Sequence, residues 1–265
     1  MKVAVIQMIS APAVAPNLAT AGRLLEEAAA AGARLAVLPE YFPLIGASDV
    51  DRLAARETEG HGLIQDFLAD TARRLNLWLV AGSIPLSGND PAKLRNAMLI
   101  YDDLGRVVGR YDKIHLFGFR KGEEFYDESA TIEAGDRPLA LDTPFGRLGV
   151  GICYDLRFPE LFRGLGPLDV LALPAAFTET TGKAHWELLL RARAVENQCY
   201  VLASAQGGRH PTGRMTHGNS MIIDPWGEVV ARMDKGEGVV LADIDLGRIA
   251  EVRTSLPALQ HRKIL

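Results

Sequence analysis

Three residues with complementary chemistry each end a short apolar segment that has the pattern of a buried strand. Glu40 ends RLAVLPE (34–40), Lys113 ends RVVGRYDK (106–113) and Cys153 ends RLGVGIC (147–153). Functional groups of α/β proteins collect where strands end. The three positions are too far apart in sequence to form a local motif, so only a fold can bring them together.

A cysteine thiol becomes a nucleophile when a base takes its proton or when a positive charge stabilises the thiolate. The carboxylate of Glu40 is a candidate base for Cys153. The ammonium of Lys113 is suited to stabilise an oxyanion and to lower the pKa of the thiol. Histidine is the usual partner of such a thiol. None of the six histidines has a comparable strand-end position, and His115 is the nearest candidate.

Each of these residues taken alone also has a structural explanation. A buried cysteine is often a small hydrophobic side chain, which is our interpretation of Cys199. A glutamate after a strand is usually solvated, and a lysine at a strand end usually extends its ammonium into water. The combination of the three residue types at three strand ends is what favours catalysis.

The rest of the sequence alternates apolar strand patterns with helical periodicity. Strands are predicted at 2–8, 34–40, 77–84, 147–153, 169–176, 199–206 and 238–245. Helices are predicted at 17–33 with Asn17 as N-cap, at 61–75, near Pro159, at 183–198 and at 246–255. Hairpins are predicted at 95–113 and 218–234, and residues 115–146 are predicted to be irregular. This order predicts a layered α/β domain with mixed sheets.

Composition limits the class of protein. The chain has 265 residues, 48% of them hydrophobic and 23% charged, with a net charge of −4. These values favour neither a nucleic-acid nor a membrane partner. Two cysteines do not form a disulfide framework, and the stretch MKVAVIQMIS lacks the layout of a signal peptide. We therefore expect one cytoplasmic domain covering 1–265, with no cofactor and no metal.

Several segments resemble a known family. LPEYF (38–42), YDKIHLF (111–117) and GVGICYDLRFPELFR (149–163) resemble the three catalytic blocks of the nitrilase superfamily of carbon–nitrogen hydrolases. TGKAHWELLLRARAVENQCYV (181–201) and DPWGEVVA (224–231) are similar to its Nit subfamily of small-amide hydrolases. AQGGRH (205–210) and LPALQHRK (256–263) are similar to the branch that acts on deaminated glutathione. The resemblance covers Val3 to about Lys263.

The resemblance implies a four-layer α-β-β-α sandwich with two similar halves, assembled as a homodimer or larger homo-oligomer. It also implies that Glu40 is the general base, that Lys113 helps to bind the oxyanion and that Cys153 is the nucleophile. A second glutamate usually precedes a loop ending in Pro-Gly. That loop is ESATIEAG (128–135) here, which points to Glu128, although Ala134 replaces the proline.

Other acids near that loop stay open as alternatives. Glu123 and Glu124 are close to Glu128 in sequence, and residue physics alone favours a solvated loop acid at 128. The family's usual Gly-His-Ser also appears here as Gly218-Asn219-Ser220. This departure leaves the fine substrate preference open.

Residues around the cysteine are candidates for binding the substrate. The N–H of Tyr154 would complete the oxyanion hole, and Phe177 and Thr178 would line the pocket. Arg157 is suited to hold a substrate carboxylate, or alternatively to pair with Asp155 or Glu160.

His185, at the start of a predicted helix, is a further pocket candidate. Arg209 and His210 form a basic loop that would reach a distal carboxylate. Loop arginines are more often solvated than functional, so this assignment rests on the loop's charge alone.

These inferences lead to one expected function. The protein would hydrolyse the primary amide of a small ω-amide carboxylic acid, with deaminated glutathione as first candidate, and would release ammonia through a thioester. An ω-amidase acting on 2-oxoglutaramate or 2-oxosuccinamate, a nitrile hydrolase and a catalytically idle interaction module remain as alternatives.

Overall fold

The computed structural model describes residues 1–48 and 50–264. Its strands are β1 Lys2–Gln7, β2 Leu35–Val37, β3 Trp78–Val80, β4 Ile84–Ser87, β5 Leu94–Tyr101, β6 Val107–Asp112, β7 Gly118–Lys121, β8 Glu124–Asp127, β9 Ala140–Thr143, β10 Gly146–Val150, β11 Val170–Ala175, β12 Tyr200–Ala205, β13 Met221–Ile223, β14 Val229–Arg232 and β15 Gly238–Asp243. Its α-helices are α1 Val14–Ala30, α2 Val50–Ala54, α3 Leu63–Leu75, α4 Pro159–Gly164, α5 Glu179–Asn197 and α6 Leu246–Ser255.

Two large sheets have related organisation. The first runs β15-β1-β2-β3-β5-β4, with β6 on the free side of β5, and the second runs β14-β13-β12-β11-β10-β9. Strands β1, β2 and β3 are parallel, as are β10, β11 and β12, whereas the flanking strands are antiparallel. The predicted mixed sheets are therefore confirmed. Strands β7 and β8 form a separate two-stranded sheet.

The apolar pattern of β1 explains the layers. Successive side chains of a strand point to opposite faces. Val3 and Val5 belong to the core shared with the second sheet, while Ala4 and Ile6 pack with α1 and α3. On the far side of the second sheet, α5 contributes Trp186 to the core. The order of layers is helix, sheet, sheet, helix, which confirms the expected four-layer sandwich.

Some predicted boundaries were wrong. Helix α1 begins at Val14 rather than residue 17, and Asn17 does not cap it. The Asn17 side chain instead bonds to both backbone groups of Ala11 and to the carbonyl of Pro43. Residues 115–146, predicted to be irregular, contain β7, β8 and β9. No helix within the described ranges is both long enough and apolar enough to cross a membrane.

The strand predicted at 77–84 is broken in two around Gly82. This glycine has φ +61°, and a Cβ there would lie 2.1 Å from the carbonyl oxygen of Pro39. The close approach of Gly82 to the Pro39 carbonyl holds in place the segment that carries Glu40.

We expect Gly82→Ala to lower the free energy of unfolding by about 2–4 kcal/mol, because left-handed strain adds to overpacking. Gly32→Ala is the matched control. Gly32 has φ +90° but no atom within 4 Å of its Cβ position, so only the strain of about 1–2 kcal/mol applies. Denaturant unfolding measures both losses, and equal losses would contradict the packing argument.

Candidate active site

The structure brings Glu40, Lys113 and Cys153 together from three strand ends. Strand β2 ends at Val37, β6 ends at Asp112 and β10 ends at Val150, and each functional residue follows within three positions. Glu40 and Cys153 line one cavity, with Glu128 on the same wall. Lys113 lies behind the two carboxyl groups, with its Nζ 2.9 Å from Glu40 Oε1.

The ammonium of Lys113 is enclosed by carboxylates. Its Nζ lies 3.0 Å and 2.7 Å from the two oxygens of Glu128, in addition to its bond to Glu40. Lys113 and Glu40 are each only 1% exposed. Burial acts to lower the pKa of Lys113, but the charges of Glu128 and Glu40 outweigh it and hold that pKa well above its usual value. The lysine is therefore a fixed positive charge.

Neutral donors fix the orientation of the Glu40 carboxylate. The side-chain amide of Asn96 donates to Oε1 at 3.0 Å, and the backbone N–H of Ala176 donates to Oε2 at 2.9 Å. The carbonyl of Glu40 accepts from Gln206 Nε2 at 3.0 Å. Both the backbone and the carboxylate of Glu40 are held in place before any substrate arrives.

The structure separates the candidate acids of the loop. Glu128 points into the site and accepts from Tyr41 Oη at 2.6 Å and from the backbone N–H of Phe117 at 2.7 Å. Glu123 is exposed, and Glu124 accepts from Thr180. The interpretation of Glu128 as a solvated loop acid was wrong, because Lys113 and Tyr41 draw it inward.

The ion pair of Glu128 with Lys113 makes the stability of the fold depend on pH. Burial raises the pKa of Glu128, but Lys113 and the hydrogen bonds from Phe117 and Tyr41 outweigh burial and lower that pKa. A carboxyl group with a lowered folded-state pKa stabilises the fold above its unfolded pKa of about 4.5, and this contribution is lost as pH falls through the folded pKa.

We expect Glu128→Gln to be less stable than the wild type at neutral pH, and the difference to shrink as pH falls below about 4.5. Thermal unfolding of both proteins across this range measures it. A difference that stays constant with pH would contradict the assigned ion pair.

Cys153 occupies a strained position at the start of a short 3-10 helix, Cys153–Arg157. Its φ of +50° lies in the left-handed region, which non-glycine residues seldom adopt. The next N–H, that of Tyr154, has no acceptor among residues 1–48 and 50–264. A free N–H at the beginning of a helical turn beside a thiol is suited to bind an oxyanion.

The thiol of Cys153 is neutral in the resting site. Burial and the charge of Glu40 raise its pKa well above the usual value, and the opposing effect of Lys113 is smaller. Lys113 acts to lower the pKa of the thiol, as expected, but burial and the two carboxyl groups beside its single ammonium outweigh this effect.

Arg157 forms neither of the ion pairs considered for it. Its guanidinium lies 5.4 Å from the ring centroid of Phe177 and 5.7 Å from that of Tyr154, and its Nη1 is 3.2 Å from His185 Nδ1. Asp155 is instead bound by other groups, including the hydroxyl of Tyr111. Arg157 does not line the cavity of Cys153.

The other binding candidates divide into two groups. Phe177 and Thr178 line the cavity, and Thr178 also caps α5 by accepting from the N–H of Thr181 at 3.2 Å. His185 is exposed and belongs to a separate depression along α5.

Hydrogen bonds hold His210 and His115 outside the cavity. His210 does not reach the cavity, because it is buried and its ring bonds to Ser10 and Thr216. His115 is held at 2.7 Å from Asp155 and takes no part in the cavity.

Sequence reasoning missed some of the cavity wall. Tyr41, Phe117, Ala176 and Arg214 also line the cavity. Tyr41 directly follows Glu40 and has a positive φ of +56°, which turns the chain into the site. Arg214 lies in the same loop as Arg209 and His210, and of these three residues only Arg214 lines the cavity. Among the described residues, no group of three or more His, Cys, Asp or Glu side chains is arranged to hold a metal ion.

Comparison with known proteins places this geometry in a family. The carbon-nitrogen hydrolase model matches residues 2–254. A deaminated glutathione amidase of Synechocystis sp. is 42% identical, covering 98% of this chain and 97% of the relative. The crystal structure of the Caenorhabditis elegans NitFhit protein has a TM-score of 0.89 and 39% identity, covering 99% of this chain and 65% of that one. This chain thus spans about two thirds of NitFhit.

One further solved structure bears on the cysteine. A mutant of the amidase from Nesterenkonia sp. AN1, showing the result of Michael addition of acrylamide at the active-site cysteine, has a TM-score of 0.80. It is 25% identical and covers 97% of this chain and 98% of its own. Since the family model spans almost the whole sequence and the relatives match it over nearly its full length, the chain belongs to the carbon-nitrogen hydrolase family.

Proposed function

We propose that this carbon-nitrogen hydrolase releases ammonia from the primary amide of a small ω-amide carboxylic acid, with deaminated glutathione as the first candidate. The observation that carries the proposal is the junction of Glu40, Lys113 and Cys153 at one cavity. The choice of substrate is supported by the Synechocystis relative, which is a deaminated glutathione amidase.

Acylation begins with a neutral thiol, so its proton must leave as the sulfur attacks. Glu40 takes this proton, and Cys153 Sγ forms a bond to the amide carbonyl carbon. The negative charge that develops on the carbonyl oxygen is stabilised by the N–H of Tyr154 and by the positive charge of Lys113. Protonated Glu40 then gives its proton to the departing nitrogen. The carbon–nitrogen bond breaks, ammonia leaves, and the acyl group remains on Cys153 Sγ as a thioester.

Deacylation uses the same groups in reverse. Glu40 takes a proton from a water molecule, whose oxygen attacks the thioester carbonyl. The carbon–sulfur bond breaks, the thiolate regains a proton from Glu40, and the free carboxylic acid leaves. Glu128 acts through Lys113 as a positioning residue, because its two oxygens hold the ammonium in place.

We expect Glu40→Gln to lower kcat for ammonia release by about 10²–10⁴-fold, the range typical of a lost general base. Glutamine keeps an oxygen that can accept from Ala176 but cannot shuttle protons. Glu124→Gln is a matched control, since Glu124 bonds to Thr180 outside the cavity. Comparable rates for both variants would show that Glu40 is not the base.

A substrate panel tests the function itself. Ammonia release is measured for deaminated glutathione, 2-oxoglutaramate, 2-oxosuccinamate and a short aliphatic nitrile, and the kcat/KM values are ranked. The highest value for deaminated glutathione supports the proposal, whereas a higher value for either 2-oxo acid assigns the ω-amidase function instead. If no compound releases ammonia and mass spectrometry finds no Cys153 adduct, the result would favour the catalytically idle interaction module.

A further inference from the structure

We infer that Arg214 binds a carboxylate of the substrate and that the site thereby selects anionic over neutral amides. This inference deepens the proposed function and rests on it. It differs from the expectations for the basic loop, because neither Arg209 nor His210 reaches the cavity.

Arg214 stands where two compartments meet. It lines the cavity of Cys153, and it also lines an adjoining compartment that includes Arg52 and Tyr126. The two compartments share Tyr41, Phe117, Glu128 and Arg214. A substrate whose amide reaches Cys153 would extend past Arg214 into the second compartment.

The guanidinium of Arg214 has no carboxylate of its own. It forms no ion pair within the described part of the chain, and its buried Nε has no hydrogen-bond acceptor there. Its one specific contact is with the ring of Tyr126, whose centroid lies 5.6 Å from Cζ. Burying a donor without an acceptor is unfavourable, and a ligand carboxylate would remove that cost.

The charges around the cavity also indicate that an anionic substrate needs a cation there. Glu40 and Glu128 share the single ammonium of Lys113, so the catalytic group presents an excess of negative charge to an incoming acid. Arg214 is the one cation among the described residues that line the cavity of Cys153. A guanidinium binds a carboxylate through two parallel hydrogen bonds, which fixes the orientation as well as the charge.

The test compares a charged and a neutral amide of similar length, glutaramate and pentanamide. Ammonia release gives kcat/KM for both in the wild type, Arg214→Met, Arg157→Met and Arg209→Met. We expect Arg214→Met to lower kcat/KM for glutaramate about 10- to 100-fold while changing pentanamide much less. Arg209→Met is the matched control, because Arg209 is an exposed arginine of the same loop. This variant should keep the wild-type ratio of kcat/KM for glutaramate to kcat/KM for pentanamide.

Retention of the wild-type ratio in Arg214→Met would overturn the inference, as would a collapse of that ratio in Arg157→Met alone. A binding measurement separates this failure from failure of the proposed function. Calorimetry with glutarate is performed on Cys153→Ala with and without Arg214→Met. Loss of glutarate binding only in the double variant supports Arg214 even if no amide is hydrolysed, whereas equal affinity, or no binding to either protein, counts against it.

Discussion

Cys153→Ala is expected to abolish ammonia release while leaving a folded protein. Without Sγ no thioester can form, and the remaining groups can only polarise the amide for direct attack by water. Alanine adopts the positive φ at this position about as poorly as cysteine does, so the substitution adds no new backbone strain. The lost sulfur belongs to the core but also borders a cavity, which limits the effect on stability.

Cys199→Ala is the matched control for this prediction. Cys199 is also a buried free thiol, but it belongs to the main core and is not part of the cavity wall. Burial raises its pKa to about 12, so it too is neutral at physiological pH. We expect this variant to keep its kcat and to lose some thermal stability. Wild-type turnover in Cys153→Ala would refute the covalent mechanism.

Lys113→Met is expected to damage both activity and stability. Methionine keeps the volume of the side chain but removes the positive charge between Glu40 and Glu128. Removal of one partner from a buried ion pair typically costs about 3–5 kcal/mol, because the other charge is left uncompensated. Loss of oxyanion stabilisation should lower kcat by about 10²–10³-fold in addition.

A surface pair and a double variant control this prediction. Lys235 lies 3.0 Å from Glu179 but is 43% exposed, so Lys235→Met should cost about 1 kcal/mol or less. Adding Glu128→Gln to Lys113→Met removes one of the two stranded carboxylates and should recover part of the lost stability. Denaturant unfolding at neutral pH measures all four proteins. A loss below 1 kcal/mol that Glu128→Gln does not relieve would contradict the buried-pair argument.

The candidate catalytic residues could be found from the sequence because they follow strands with clear apolar patterns. Such patterns are local, and Glu40, Lys113 and Cys153 each stand at the end of one. The hairpin joining β5 and β6 and the helix beginning at Pro159 also have local signals, namely turn residues and a proline at the first helical position. Periodicity and turn chemistry were sufficient for these elements.

The rest depends on contacts between distant segments. Glu128 is drawn into the site by Tyr41 and Lys113, which lie on other parts of the chain. The resemblance of ESATIEAG to the family's loop pointed to this residue, whereas residue physics alone favoured a solvated acid. His210 and Arg214 have similar sequence surroundings, yet one is tied to Ser10 and the other faces the cavity. Asn17 had the residue type of a helix cap, but the loop backbone of Ala11 and Pro43 uses its side chain instead.

The neutral state of the Cys153 thiol also bears on how the protein survives oxidising conditions. Peroxide and other oxidants react with thiolates far faster than with thiols, so a cysteine kept protonated is poorly reactive toward them. In the proposed mechanism the base acts on Cys153 only as an amide carbonyl arrives, so we expect the sulfur to be reactive during turnover and poorly reactive between turnovers. We therefore expect the carboxyl groups that keep the thiol protonated to slow its irreversible oxidation while the site is idle.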